Sequence, residues 1–307
     1  MIISSRLIKE EANRLGFEKV GIAKATATHI ERKNLEVWLN DGKQAGMDWI
    51  KNRKDERGNI HTYYPNAKSI VSVGMNYYTG KNQNDLESDY KFSNYAWGED
   101  YHLVLRKKLF QLSDWLEKLC PGSKNIVCVD TSPVMEKVWA QRAGIGWIGK
   151  HTNLITREYG SWLFLGEIVS DIKLEYDIPF KDDLCGTCTA CIDECPTQAL
   201  TEYILDANKC ISYLTIEHKG DFSEGAPDLD GWVFGCDICQ EVCPWNQKFS
   251  QEKCCDDFQP RDSILNYDNE KWESLREEQF RRVFKNSAIK RTKHTGLKRN
   301  ILKNKDV

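Results

Sequence analysis

Residues 185–196 read CGTCTACIDECP, which sets Cys185, Cys188, Cys191 and Cys195 at C-x2-C-x2-C-x3-C-P spacing. That is the ferredoxin run, in which thiolates hold 4Fe-4S clusters. Three closely spaced thiolates grip three corners of a cubane from one loop, while the fourth opens a helix that points away and serves a second cluster. Residues 236–244, CDICQEVCP, supply the partner run with Cys236, Cys239 and Cys243, one thiolate short, and Cys210 between the two runs completes the count. The swapped pattern assigns Cys185, Cys188, Cys191 and Cys243 to one cluster, and Cys195, Cys210, Cys236 and Cys239 to the other. A zinc ribbon also uses paired CxxC elements, but it would leave Cys191, Cys195, Cys210 and Cys243 without a role. Cys120 and Cys128 lie among apolar residues and read as core thiols, and Cys254 and Cys255 belong to no motif.

Around this module, 307 residues at 40% hydrophobic content suffice for one sizeable core and a smaller unit. The expected fold class is an α/β (α+β) domain over residues 1–174, a dicluster ferredoxin-like domain over 175–255, and a basic helical tail over 256–307. Within the first unit, residues 4–15 have helical periodicity, and FEKVGIA (17–23) and SIVSVGM (69–75) read as strands. The polar stretch 79–94 reads as a mobile loop with nothing to bury. Leu103, Leu105, Leu109, Leu112, Leu116 and Leu119 share a helix face that Pro121-Gly122 ends. The strand 126–129 then runs into Asp130-Thr131-Ser132-Pro133, a polar cap and a first-position proline for a helix over 134–143. Gly144, Gly146 and Gly149 mark a tight loop where backbone can approach a ligand, followed by a strand pair at 154–155 and 162–169. The glycine spacing is not that of a dinucleotide site.

The N-terminal residues contain no signal-peptide pattern, and no apolar run approaches a membrane span, so the chain reads as cytoplasmic. Twelve cysteines, most of them bunched at metal-ligand spacing in a chain of this length, read as thiolates held for metal rather than a disulfide scaffold. The net charge of −3 conceals an asymmetry: residues 280–307 hold ten Lys or Arg against the single acid Asp306. A cationic tail on an acidic body suits a polyanionic partner, and it equally describes a solvated helix face.

Four segments occur in order: VDTSPVMEKVWAQRAGIGWIGKHTNLI (129–155), CGTCTACIDECPTQAL (185–200), CISYLTIE (210–217) and GCDICQEVCPWN (235–246). Together they resemble the epoxyqueuosine reductase family, cobalamin- and iron-sulfur-dependent enzymes of tRNA modification. The resemblance covers roughly residues 1–246. It implies reduction of epoxyqueuosine to queuosine at the tRNA wobble position, with electrons passing through two 4Fe-4S clusters to cobalamin. It also implies Asp130 as proton donor, although local sequence alone makes Asp130 a helix cap. Arg57, within DER where the family has DPR, matches a cobalamin-contacting arginine. His151, Asn153, Ser212 and Asp237 match corrin-facing positions, as does Asp130. Lys219 in EHKG and the basic residues Arg281, Arg282, Lys290, Arg291 and Lys293 are the expected tRNA contacts. The implied partners are a tRNA anticodon stem-loop and an external one-electron donor, with no membrane and a monomeric chain. A corrinoid reductive dehalogenase would use the same cofactors, and a ferredoxin-like carrier would use the clusters alone. The chain lacks the DxHxxG element that ligates cobalamin from below and the CxxxCxxC spacing of radical S-adenosylmethionine enzymes.

Overall fold

The computed structural model describes residues 3–305; Asp306, the one acid of residues 280–307, lies outside them. In chain order the strands are β1 (Lys19–Lys24), β2 (Ser69–Asn76), β3 (Lys91–Phe92), β4 (Asn125–Cys128), β5 (Trp147–Ile148), β6 (Leu154–Ile155), β7 (Leu163–Ser170), β8 (Leu200–Thr201), β9 (Ile204–Leu205) and β10 (Trp232–Phe234). Four of them form an antiparallel sheet in the order β1-β2-β7-β4. Every residue of β2 is buried, as expected of a central strand covered on both faces.

Alternation along the central strands sorts side chains between two cores. Val71, Val73 and Ile168 pack against Ile8 of helix Ser5–Arg14 and against Leu105, Leu109, Leu112 and Leu116 of helix Tyr101–Leu119. Ile70 and Val169 face the opposite way, onto Trp139 and Ala140 of helix Glu136–Arg142. No helix among the described residues is long and apolar enough to cross a membrane.

Several expectations change. Val104, not Leu103, joins the core; Leu103 is 53% exposed and Leu119 also faces outward, because the helix is wound so that residues 105, 109, 112 and 116 centre the apolar stripe. β6 pairs with β5, and β7 belongs to the main sheet, so 154–155 and 162–169 are not partners. Gly144 and Gly146 serve backbone packing: a Cβ on Gly146 would run into the Ile155 carbonyl oxygen, and one on Gly144 would lie 2.5 Å from the Ile178 oxygen.

The stretch 79–94 is not a free loop. β3 pairs in parallel with β10, and Tyr90, Phe92 and Trp97 form a third core with Trp272, Phe280, Phe284, Ile289 and Ile301. Gln83 braces the turn by bonding both the amide and the carbonyl of Phe92. A polar average concealed two aromatic side chains, Tyr90 and Phe92, whose partners lie some way off in sequence. The tail is consequently built into the molecule through one apolar face and presents its cations on the other.

Candidate active site

β4 ends one residue before Val129, and the next residue, Asp130, adopts φ +52°, a left-handed conformation that aspartate tolerates better than most residues. The helix beyond begins at Glu136, with Met135 at its cap and no side-chain cap bond, so Asp130 caps nothing and Pro133 precedes the helix rather than opening it. Instead, the Asp130 amide donates to Glu136 Oε1 at 2.5 Å, and Asp130 Oδ2 lies 3.1 Å from His102 Nε2. The Asp130 side chain remains 52% exposed, facing outward from a fixed backbone.

Charged groups converge behind it. Burial and the adjacent Asp130 charge push the Glu136 carboxyl up to about 8. Glu167 on β7 is fully buried, with no partner for either carboxylate oxygen among the described residues, and is held well above the carboxylate range by burial and by Glu136. The Arg57 guanidinium, lowered by burial, lies over the Trp49 ring at 5.1 Å and senses both Asp130 and Glu136. Arg57 and Asp130, far apart in sequence, thus share one site.

A cavity of about 450 Å³ opens here. It is lined by Tyr95, Tyr101, Glu136 and Lys137, by Cys195, Cys210, Cys236 and Cys239, and by His151, Asn153, Ser212 and Asp237. His151 is buried and neutral, pushed down to about 4 by burial and by Lys137. Its Nδ1 accepts from the Asn153 amide at 3.1 Å, which leaves the proton on Nε2, a buried donor without a partner among the described residues. An orphaned donor in an aromatic-lined cavity fits a large cofactor rich in amide acceptors. Asp237 is occupied differently: its carboxylate accepts from Ser93 Oγ and the Asn94 amide, both at 2.6 Å, and from Gln240.

The cysteines fall into two neighbourhoods. Cys191 is pushed up to about 11 by burial and then by Cys243, Cys185 and Cys188, and Cys243 in turn senses Cys185 and Cys188. Cys236 is raised by burial, Cys239 and Cys210, and Cys239 by burial, Cys210 and Cys195 among others. Only the second set lines the cavity. Thiols so raised are poor ligands by themselves, and bound iron reverses this by stabilising the thiolate.

The basic residues are unequal. Arg291 forms a two-pronged ion pair with Glu217, both arms 2.9 Å, and also senses Asp130 and Tyr95, which sets it by the cavity; Lys290 lies near Asp100. Arg281 is paired with Glu277 one turn back, while Arg282, Lys290, Lys293 and Lys219 are exposed. Arg299, which carries no motif in sequence, donates to the carbonyls of Leu214, His218 and Gly220 and so pins the turn that carries Lys219. His102, Glu136 and Lys137 are likewise not singled out by sequence: the first hides in a leucine-rich helix, and the others sit within the 129–155 segment without a role of their own.

A family model described as "Epoxyqueuosine reductase QueG, DUF1730" matches residues 57–131, and one described as "4Fe-4S double cluster binding domain" matches residues 184–246. An epoxyqueuosine reductase of Cellulophaga algicola is 45% identical over 97% of this chain and 96% of its own length. One from Synechocystis sp. is 46% identical over 93% of this chain and 99% of its own. The chain belongs to the epoxyqueuosine reductase family.

Membership makes it an oxidoreductase with an iron-sulfur domain. A solved epoxyqueuosine reductase with an epoxyqueuosine-modified tRNA-Tyr stem loop superposes with TM-score 0.87 at 29% identity, covering 97% of this chain and 80% of that one. The epoxyqueuosine reductase of Bacillus subtilis, solved with an aspartate-bearing catalytic loop swung out of its active site, gives 0.86 at 28% identity over the same shares.

Proposed function

We propose that this epoxyqueuosine reductase converts the epoxide of epoxyqueuosine, at the wobble position of tRNA, to the alkene of queuosine, with Asp130 as proton donor. The observation that carries the reading is one cavity lined both by a complete thiol set, Cys195, Cys210, Cys236 and Cys239, and by Glu136, whose carboxylate accepts from the Asp130 amide. A ferredoxin-like carrier needs the thiols but neither the cavity nor the acid beside it.

Residues 1–174 supply the substrate side and one part of the cofactor cavity, 175–255 the two clusters and the rest of the cavity's lining, and 256–307 a basic flank for the anticodon stem-loop. When bound, the clusters deliver single electrons from an external donor in the cytoplasm, and cobalamin gathers them into a two-electron nucleophilic reductant. The set lining the cavity would hold the cluster next to cobalamin, and the Cys185, Cys188, Cys191 and Cys243 set would hold the one that receives electrons from the donor. Arg57, His151, Asn153 and Ser212 would hold the corrinoid, His151 offering its unpartnered Nε2 donor, and Asp237 anchors the wall by its bonds to Ser93 and Asn94. Asp130 protonates the epoxide oxygen as its carbon–oxygen bond breaks, because an unprotonated alkoxide is a poor leaving group. The left-handed turn fixes the Asp130 backbone through the Glu136 bond, so that the carboxyl alone is presented. Phosphates of the stem-loop meet Lys290, Lys293, Arg282 and Lys219 around the cavity mouth, with Arg281 and Arg291 in support, and splayed loop bases supply selectivity.

Anaerobic reconstitution with iron, sulfide and cobalamin, followed by metal analysis, tests the reading. It requires roughly eight iron per chain, as two four-iron clusters demand, together with one cobalt. Full iron without cobalt would leave an electron carrier as the better account.

A further inference from the structure

Removing an epoxide oxygen as water consumes two electrons and two protons, and both protons end on the same oxygen. Asp130 carries one proton at a time, so on the reductase reading, on which this inference rests, it must be reloaded before the turnover is complete. We propose that His102 is the group that reloads it, passing its Nε2 proton to Asp130 Oδ2.

The geometry is that of a relay. His102 Nε2 lies 3.1 Å from Asp130 Oδ2, and its Nδ1 lies 2.7 Å from Asp100 Oδ1. Asp100 also accepts from the His102 amide at 3.0 Å as the cap of helix Tyr101–Leu119, so the first turn of that helix fixes both the carboxylate and the ring. The Tyr101 ring stacks on the imidazole at 4.1 Å and is itself stacked on Phe164, which closes the remaining side. With 26% of its side chain exposed, His102 can recover a proton from water, whereas Glu167 behind Asp130 is fully buried.

The groups facing the imidazole are Asp100, Asp130, Tyr101 and Glu136, with Lys290 beyond Asp100. Burial alone would lower its pKa, but the hydrogen bonds to Asp100 and Asp130 and their charges outweigh it and raise the imidazole to about 9. It is therefore an imidazolium at neutral pH, and the pair titrates as a unit.

The protons balance. The Asp130 carboxyl O–H breaks as the epoxide oxygen gains a hydrogen and the first carbon–oxygen bond opens. The Asp130 carboxylate then takes the Nε2 proton, leaving a neutral imidazole hydrogen-bonded to Asp100. Asp130 gives this second proton to the resulting hydroxyl as its carbon–oxygen bond breaks, water leaves, and the alkene forms with the two electrons that the external donor provides. Solvent restores the imidazolium.

His102→Gln keeps a side-chain amide able to bond Asp130 but has no proton to pass on. On an epoxyqueuosine stem-loop, kcat of this variant is expected to fall about 100-fold with KM changed by no more than about twofold. Wild-type kcat should decline above pH about 9, and the variant should lack that limb. Independently of turnover, nitrogen NMR of the full, unreconstituted chain should show His102 titrating near 9 and moving toward 6.5 in Asp130→Asn. A His102→Gln enzyme with wild-type kcat and pH profile, or an imidazole that titrates near 6.5 in the unaltered chain, would overturn the relay alone. A wild-type enzyme that leaves the epoxide intact would overturn the reductase reading and the relay with it.

Discussion

Asp237, between two thiols of the second cysteine run, accepts a 2.6 Å hydrogen bond from Ser93 Oγ, 144 residues earlier in the chain. A second bond from the Asn94 amide and a third from Gln240 complete its coordination. The residue expected to touch the cofactor is thus the rivet that holds the Tyr95 wall of the cavity against the cluster-bearing helix. Asp237→Asn replaces an acceptor with a donor facing the Asn94 amide. It should cost about 1.5–3 kcal/mol in denaturant unfolding, the value of a hydrogen bond to a charged group, and an unchanged midpoint would remove the rivet.

Cys243 shares a neighbourhood with Cys185, Cys188 and Cys191 although it lies in the other run. Cys243→Ser should therefore lower reconstituted iron from roughly eight to roughly four per chain and leave the cavity-facing cluster spectroscopically intact. Loss confined to the cavity-facing cluster would reverse the assignment.

The cysteine arrangement was legible in sequence because a cubane fixes ligand spacing more rigidly than any fold fixes a loop. β2 was legible because a strand buried on both faces reads as a nearly continuous apolar run. β3 was not, since Lys91 and Phe92 are strand residues only by virtue of Trp232–Phe234, and such pairing leaves no local pattern. The local reading of Asp130 as a cap failed: Asp-Thr-Ser-Pro carries every mark of one, and what decides otherwise is the Glu136 bond and a left-handed backbone. His102 was invisible because a helical apolar period says nothing of what its polar face meets.

Among the described residues, the tail's exposed cations Arg282, Lys290 and Lys293 make no ion pair of the kind that occupies Arg281 and Arg291. Changing the three to Gln should weaken stem-loop binding and flatten the slope of log affinity against log salt by about 0.7–0.9 for each phosphate no longer neutralised. An unaltered salt dependence would make this face merely solvated.

Two histidines set opposite pH limbs on stability. His102 titrates at about 9 in the folded chain against an ordinary 6.5, so its stabilisation is complete below pH 6.5 and is lost as pH rises through 9. The loss is on the order of 3 kcal/mol, and His102→Gln should abolish that limb. His151 is depressed to about 4, so the unfolded chain binds its proton first and stability falls as pH drops from 6.5 toward 4. Unfolding midpoints measured from pH 5 to 10 check both signs; a flat alkaline limb in the wild type would count against the His102 environment.

The most direct test is turnover: reduced protein loaded with iron, sulfide and cobalamin, incubated without oxygen with an epoxyqueuosine anticodon stem-loop, and the wobble nucleoside weighed by mass spectrometry. The expected result is loss of one oxygen atom to give queuosine, and at least about 100-fold slower conversion by Asp130→Asn with cluster and corrinoid spectra unchanged. An intact epoxide after incubation with fully loaded wild-type protein, or an Asp130→Asn enzyme as fast as the wild type, would contradict it.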